Sequence, residues 1–205
     1  LQTFFSLDLA RHMRAAGQQA DVIIANNVMA HVADLSGFVE GIATLLQPNG
    51  MAVIEVPYVV DLIDKCEFDT MYHQHLCYFS VTSANHLFHR HGLSINHVEQ
   101  LPIHGGSLRL FVEHREAPDE AVMALLEVEE AAGVGQLAYY RDFAENVDRI
   151  GTSLREMLTG LRAEGKRIAA YGAAAKGTTL LAYAGIDNEI IEYVVDRNSF
   201  KHDRY

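Results

Sequence analysis

Two apolar runs, Asp21-Val22-Ile23-Ile24-Ala25 and Met51-Ala52-Val53-Ile54-Glu55-Val56, flank a helix-like segment at residues 35–46. Short continuous apolar runs are typical of buried parallel strands, and apolar residues at helical spacing are typical of a helix packed on a sheet. A turn is predicted at Pro48-Asn49-Gly50, just before the second strand. The order strand, helix, strand predicts a βαβ unit with a parallel sheet, and hence an α/β fold.

The same part of the chain contains further predicted elements. They are a helix at residues 7–16, a helix near residues 83–91, and strands at residues 94–101 and 107–114 joined by His104-Gly105-Gly106. Gly17 and Gly92 follow the two helical patterns and fit helix C-caps, where glycine is common. We assign residues 1–115 to a first domain.

A helical segment and a second α/β unit follow. Apolar residues recur at three- and four-residue spacing from about residue 119 to residue 165, with a break at Gly133-Val134-Gly135 that predicts two helices. A strand at 167–171, a small-residue loop, a helix at 179–184 and a strand at 190–195 predict a second βαβ unit. We assign residues 116–205 to a second domain made of this helical connector and this unit.

The composition excludes several classes of function. The chain has 205 residues, of which 49% are hydrophobic and 21% charged, as in ordinary globular proteins. A net charge of -11 argues against a nucleic-acid partner, because the phosphate backbone would be repelled. No apolar run approaches the length of about 18 residues that a membrane span requires. These features leave the oligomeric state open.

Cysteine usage indicates the cellular compartment. Cys66 and Cys77 are the only two cysteines, and they form no Cys-x-x-Cys pattern. We therefore expect reduced thiols in a cytoplasmic protein, and no zinc or other metal site.

The segment Phe68-Asp69-Thr70-Met71-Tyr72-His73-Gln74-His75-Leu76-Cys77-Tyr78-Phe79-Ser80 is rich in groups that handle protons. Tyr72, His73 and His75 fall within four residues. Imidazole titrates near neutrality and a phenol both donates and accepts hydrogen bonds, so the trio suits proton removal beside a carbonyl. In an extended segment, Tyr72 and Gln74 would face one way and the two histidines the other. The alternative is a polar loop whose imidazoles are hydrogen-bonded structure.

The loop Gly172-Ala173-Ala174-Ala175-Lys176-Gly177-Thr178 lies where a dinucleotide-binding turn would lie in the second βαβ unit. Gly172 and Gly177 fit the outer glycines of G-x-G-x-x-G, Ala174 replaces the middle one, and Asp196 follows where a ribose-binding acid is expected. Main-chain N–H groups at a helix start, with a lysine nearby, also suit a phosphate. Simple close packing of helix and strand is the alternative.

Together these stretches resemble the S-adenosylmethionine (SAM)-dependent sugar C-methyltransferases, which methylate a nucleotide-linked deoxysugar at carbon. The matching stretches cover nearly the whole chain in the family's order: residues 25–34, 54–58, 68–80, 104–109, 171–177 and 194–198. The resemblance implies that residues 1–115 form the C-terminal part of a class I methyltransferase Rossmann-like domain. It implies a Rossmann-like substrate domain, which would be truncated, within residues 116–205. It also implies a zinc domain and a glycine-rich SAM turn that these residues lack, so we expect a fragment of a longer protein.

The resemblance further implies a reaction and roles for its residues. The substrate would be a nucleotide-linked, dTDP-type 4-keto-deoxysugar; a base removes the proton beside the ketone, and the resulting enolate carbon attacks the methyl group of SAM. His75 matches the family's catalytic histidine and is the expected base. Tyr72 and His31 are expected to stabilise or reprotonate the enolate oxygen. Gln74 stands where relatives often carry glutamate; it can hydrogen-bond an imidazole but cannot neutralise an imidazolium.

Cofactor and substrate contacts are expected at strand ends and around the second loop. Asn27, Val28 and His31 follow a strand, at the edge where open α/β sheets bind ligands, and are expected to face SAM. Arginine and lysine side chains near glycine turns suit a diphosphate, and a tyrosine suits a nucleotide base. The residues expected to bind the sugar nucleotide are Tyr58, Arg109, Tyr171, Lys176, Asp196 and Arg197.

Three rival functions remain open from the sequence. One is a nicotinamide (NAD)-dependent oxidoreductase that uses residues 172–196. A second is a non-catalytic module that binds nucleotide sugars. A metal-dependent hydrolase built on His73 and His75 is the third, and it lacks a nearby carboxylate to complete a ligand set.

Overall fold

The computed structural model describes residues 3–202. The chain divides into two compact units. Unit 1 takes the residues up to Lys65 together with Gln74–Tyr139, and unit 2 takes Cys66–His73 together with the residues from Tyr140 onward. This grouping differs from the single boundary expected near residue 115, because the helix at Glu120–Ala132 packs against elements of unit 1.

Unit 1 is a four-stranded mixed sheet with helices. Its strands are β1 (Ala20–Asn26), β2 (Leu46–Pro57), β3 (Ser94–Leu101) and β4 (Ser107–Glu113), and its helices are α1 (Leu7–Ala15), α2 (Leu35–Leu45), α3 (Val59–Asp64), α4 (Val81–His89) and α5 (Glu120–Ala132). The strand order is β1-β2-β4-β3. β1 and β2 are parallel, as predicted, and α2 is the crossover helix between them.

Two predictions for this sheet are wrong. The sheet is mixed rather than parallel, because β4 pairs antiparallel with both β2 and β3. The turn expected at Pro48-Asn49-Gly50 is part of β2. There Leu46 pairs with Ala20 but Met51 pairs with Val22, so the extra residues form an irregularity in the ladder. A Cβ on Gly50 would lie 2.8 Å from the carbonyl oxygen of Asp21, so the close approach requires glycine.

The core of unit 1 lies on one face of this sheet. Alternate side chains of β2 and β4 are fully buried there, which is the pattern of a strand with one covered face: Ala52, Ile54, Val56, Leu108, Leu110 and Val112. Met29, Val39, Ile42 and Phe88 from the neighbouring segments belong to the same cluster. The other face carries a polar ladder, since Glu55 pairs with Arg109 and Arg109 pairs with Glu99 in register.

Unit 2 is the second βαβ unit with its long helix. It contains α6 (Arg141–Ala163), β5 (Ala169–Tyr171), α7 (Ala175–Ala184) and β6 (Tyr193–Val195), and β5 pairs parallel with β6. A small apolar cluster of Ala184, Ile186 and Ile191 packs with residues of α6 and α7. The helix here begins at Ala175, earlier than the expected residue 179, because the alanine-rich loop continues into its first turn. Within residues 3–202, no helix is long and apolar enough to cross a membrane.

Candidate active site

The carboxyl end of β1 positions the first group of predicted site residues. Asn27 follows β1 with a left-handed φ of 54°, and its main-chain N–H donates to the carbonyl oxygen of Glu55 at 2.9 Å. Val28 is 43% exposed and leads into a short 3-10 helix, Met29–His31. Parallel strands end together at this edge, which is where open α/β sheets bind ligands.

The main chain of the Tyr/His segment docks onto this 3-10 helix. The N–H groups of Leu76 and Cys77 both donate to the carbonyl oxygen of Ala30, at 2.8 and 3.3 Å. The Nδ1 atom of His31 lies 2.7 Å from the carbonyl oxygen of Gln74. Side chains that are far apart in sequence are thereby brought to one place.

The two imidazoles of His31 and His75 lie in contact at this docking point. Their ring centroids are 4.9 Å apart and the ring planes are inclined by 51°. Tyr78 presents its ring nearly perpendicular to His75, with centroids 6.3 Å apart. His75 is half-buried, whereas His31 is exposed.

The hydrogen bond to Gln74 fixes the protonation pattern of His31. A carbonyl oxygen only accepts hydrogen bonds, so Nδ1 of His31 must carry the proton that it shares. In the neutral ring this leaves Nε2 unprotonated, with a lone pair that can accept a proton. The side chain of Gln74 is exposed and is not needed for this contact, because the main-chain carbonyl makes it.

The other two members of the predicted trio belong to unit 2. Tyr72 and His73 belong to the Cys66–His73 segment of that unit, and their rings lie 6.3 Å apart. The segment packs inside unit 2 through Phe68, whose ring centroid is 5.0 Å from that of Tyr183. The structure thus brings His31 and His75 together, and it places Tyr72 in unit 2.

The main chain around Tyr58 joins three of the matching stretches, residues 54–58, 68–80 and 104–109. The N–H of Tyr58 donates to Gly106 of the His-Gly-Gly turn at 3.0 Å, and the N–H of Val59 donates to Phe79 at 2.9 Å. The side chain of Tyr58 is 2% exposed. Its phenol bonds to Glu129, and burial together with the charge of Glu129 raises the pKa of Tyr58 well above its usual value. Tyr58 therefore holds motifs together from inside unit 1.

Arg109 is held by two carboxylates. Its Nε and Nη2 atoms donate to Oε1 of Glu55 at 2.8 and 2.6 Å, and Nη1 donates to Glu99 at 3.0 Å. Glu55 is 4% exposed, so its charge needs this partner. The hydrogen bond from Arg109 to Glu55 raises the pKa of the arginine. The structure places all three guanidinium nitrogens on protein groups.

Unit 2 has a cleft of about 870 Å³ at the carboxyl ends of β5 and β6. It is lined by residues of the small-residue loop, the start of α7 and the segment after β6. Tyr171 at its edge is 73% exposed. Its lining includes Tyr171, Gly172, Ala173, Asp196, Lys201 and His202.

Asp196 closes the loop beside this cleft. Its Oδ2 accepts from the N–H of Ala173 at 2.8 Å and from Nζ of Lys201 at 3.1 Å, and its Oδ1 accepts from the N–H of Asn198 at 2.8 Å. These hydrogen bonds lower the pKa of Asp196, and the one from Asn198 contributes most. Lys176 is half-buried in the first turn of α7, and Arg197 is exposed next to Asp196.

Sequence reasoning missed three of these residues. Glu129 lies in α5 at a position that its helical spacing does not distinguish from a surface acid, yet it is 1% exposed. Lys201 and His202 follow the last strand, and only the basic character of that stretch could have drawn attention to them. In the part of the chain that the structure describes, no group of three or more His, Cys, Asp and Glu side chains is arranged to hold a metal ion.

Known proteins match this chain along its whole length. The family model of a C-methyltransferase C-terminal domain matches residues 102–205, and that of a methyltransferase domain matches residues 3–98. The C-methyltransferase NovU of Streptomyces niveus is 33% identical over 203 residues. That alignment covers 98% of this chain and 48% of NovU, so the chain spans about half the length of this curated relative.

Solved structures match parts of the chain. A chain of the Haloferax volcanii complex between the Trm112 methyltransferase activator and a methyltransferase shares 15% identity, with a TM-score of 0.41. That match covers 50% of this chain and 57% of the other. An O-methyltransferase family protein from Burkholderia thailandensis shares 18% identity over 54% of this chain and 34% of its own, with a TM-score of 0.37.

Proposed function

The chain belongs to the C-methyltransferase family, and from that premise we propose that it forms part of a SAM-dependent enzyme that methylates a carbon of a nucleotide-linked 4-keto-deoxysugar. The observation that carries the proposal is the imidazole pair of His31 and His75, held together at the carboxyl end of β1. A proton acceptor at the ligand-binding edge of an α/β sheet is what carbon methylation beside a ketone needs.

His75 is the proposed base. A ketone acidifies the neighbouring C–H bond, and a neutral imidazole near the operating pH can take that proton. The half-buried position of His75 suits contact with a substrate, whereas a fully exposed ring would be surrounded by water. Tyr72 is proposed to donate a hydrogen bond to the oxygen on which the enolate charge develops.

The edge of β1 is proposed to take the cofactor. SAM supplies, when bound, a methyl group on a positively charged sulfur that a carbon nucleophile can attack. The residues at this edge fit part of such a nucleoside: Asn27 offers an amide, and Val28 borders an apolar hollow of about 270 Å³ with Ile24 and Ala25. His31 extends the same edge.

The cleft of unit 2 is proposed to hold the nucleotide end of the substrate. Tyr171 is exposed enough to stack on a base. Lys176 and Arg197 directly adjoin the lining residues Gly177 and Asp196 in sequence, and they are proposed to supply positive charge for a diphosphate. Asp196 contributes by holding the loop to the segment after β6, since its oxygens accept from the N–H of Ala173 in the loop and from Asn198 and Lys201 in that segment. Tyr58 and Arg109 are proposed to act within unit 1, by holding in place the segments to which they bond.

The same hydrogen bonds weigh against the NAD-dependent alternative. A ribose-binding acid must offer free oxygens to the sugar hydroxyls. The oxygens of Asp196 are already used by Ala173, Asn198 and Lys201. A non-catalytic nucleotide-sugar module remains the second candidate, because the cleft is lined by residues of unit 2 alone.

Isothermal titration of the full-length protein that contains this chain, with SAM and with a thymidine-diphosphate 4-keto sugar, tests the proposal. We expect binding of both ligands and transfer of labelled methyl from SAM to the sugar. Binding of the sugar nucleotide without SAM would support the non-catalytic module instead. Binding of neither ligand would contradict both functions.

A further inference from the structure

The imidazole pair has an inner and an outer member. His75 is half-buried, and its ring is in contact with His31 and lies near Tyr78. His31 is exposed to solvent and touches His75 at a centroid distance of 4.9 Å. At this centroid distance, ring nitrogens of two imidazoles can lie within hydrogen-bond reach of each other or be bridged by one water molecule, which is the geometry that proton transfer requires.

The outer member is prepared to accept a proton. Nδ1 of His31 donates to the carbonyl oxygen of Gln74, so the lone pair of the neutral ring is on Nε2. The contact is made by the main chain, and it therefore persists whichever side chain occupies position 74. Gln74, which bears this carbonyl, directly precedes His75. The orientation of the His31 ring therefore depends on the position of the main chain at His75.

We propose that His31 is a positioning and relay residue, which takes the substrate proton from His75 and releases it to solvent. This inference rests on the proposed function. The C–H electron pair stays on the substrate as the enolate, and the proton moves to His75. From His75 it passes to Nε2 of His31, and from there to a water molecule or a buffer base. Both imidazoles are then neutral again, and no oxidant or reductant is needed.

Solvent exchange of the substrate proton tests the relay without a methyl donor. The 4-keto sugar nucleotide is incubated with the protein in deuterium oxide, and deuterium entry at the carbon beside the ketone is followed by mass spectrometry. His31→Asn is the variant, because its amide can still donate to the Gln74 carbonyl but cannot take up a proton. His89→Asn, which alters an exposed imidazole of α4, is the matched control.

We expect His31→Asn to slow deuterium entry by about ten-fold or more at low buffer concentration, which is less than the roughly 10²–10⁴-fold effect of a direct general base because His31 acts through His75. Added imidazole buffer should restore most of the loss, because it replaces the missing proton acceptor. His89→Asn should behave like the unchanged protein. A loss that no buffer restores, or no loss at all, would overturn the relay.

A spectroscopic measurement adds a readout that a purely structural role would not give. Long-range proton–nitrogen correlation spectra of the unchanged chain should show His31 protonated on Nδ1 and unprotonated on Nε2. The opposite tautomer would overturn the inference. Deuterium entry without any methyl transfer from SAM would refute the proposed function while the relay stands, and absence of exchange in the unchanged protein would overturn both.

Discussion

The phenol of Tyr58 donates a hydrogen bond to the carboxylate of Glu129, a side chain only 1% exposed. The same carboxylate accepts from the N–H of Val81 at 2.7 Å and from the N–H and hydroxyl of Thr82 at 2.8 and 2.6 Å. A negative charge at the first turn of α4 also complements the helix dipole. Glu129 of α5 thus holds in place both the start of α4 and the side chain of Tyr58.

The first prediction concerns this acid. Glu129→Ala should lower the free energy of unfolding by about 2–4 kcal/mol, because it removes the acceptor of the N–H groups of Val81 and Thr82 and of the buried phenol of Tyr58. Urea denaturation of the variant measures the loss. Glu127→Ala, an exposed acid of the same helix, should change stability by less than about 0.5 kcal/mol. Equal losses in the two variants would contradict the role of Glu129.

A second prediction concerns acid stability at the start of α5. Asp119 caps this helix through the N–H groups of Ala121 and Val122 and accepts from Nδ1 of His97 at 2.6 Å. These hydrogen bonds lower the pKa of Asp119 in the folded state, and the one from His97 contributes most. The stabilisation of the fold by the Asp119 carboxylate is therefore complete above the pKa of about 4 that Asp has in the unfolded chain. It is lost as the pH falls through the lowered pKa of the folded state.

Melting temperatures between pH 7 and pH 3 check this sign. The unchanged chain should lose more stability on acidification than Asp119→Asn, which no longer carries the titrating group. Glu116→Gln alters an exposed acid nearby and should leave the pH profile of the unchanged chain intact. The same acid dependence in Asp119→Asn and in the unchanged chain would refute the prediction.

A third prediction concerns the loop of unit 2. Lys176→Ala should weaken binding of the nucleotide sugar by about ten-fold, the usual scale for one hydrogen bond to a charged group, and should affect turnover at saturation less. Titration calorimetry measures the affinity. Lys166→Ala removes an exposed lysine that precedes β5, and its affinity should be unchanged. An unaltered affinity in Lys176→Ala would reassign this loop to packing.

Much of the fold follows from local pattern. The apolar runs at 21–25 and 51–56 predict the positions and the parallel pairing of β1 and β2 correctly. The expected burial of β1 is wrong, since Val22 and Ile24 are 58% and 69% exposed. The turn expected at 48–50 is wrong, because pairing with β1 extends β2 through residues that locally favour a turn. The antiparallel placement of β4 depends on long-range pairing, which periodicity does not report.

The residue types of the candidate site could be predicted from the sequence, but the contacts between them could not. His75 and His31 could be selected from residue type and family resemblance, yet their contact depends on a main-chain carbonyl that has no sequence signal. Arg109 carries charge suited to a diphosphate, but its cross-strand neighbours Glu55 and Glu99 hold it. Register, rather than residue type, decides which groups reach each other.

The central claim is that His75 removes the substrate proton before the methyl group is transferred. Its most direct test is the rate of labelled methyl transfer from SAM to a thymidine-diphosphate 4-keto sugar in the His75→Ala variant, with SAM affinity measured in parallel. Our account predicts that the rate falls by about 10² or more while the affinity for SAM is retained, as expected for loss of a general base. Near-normal turnover in this variant would contradict it.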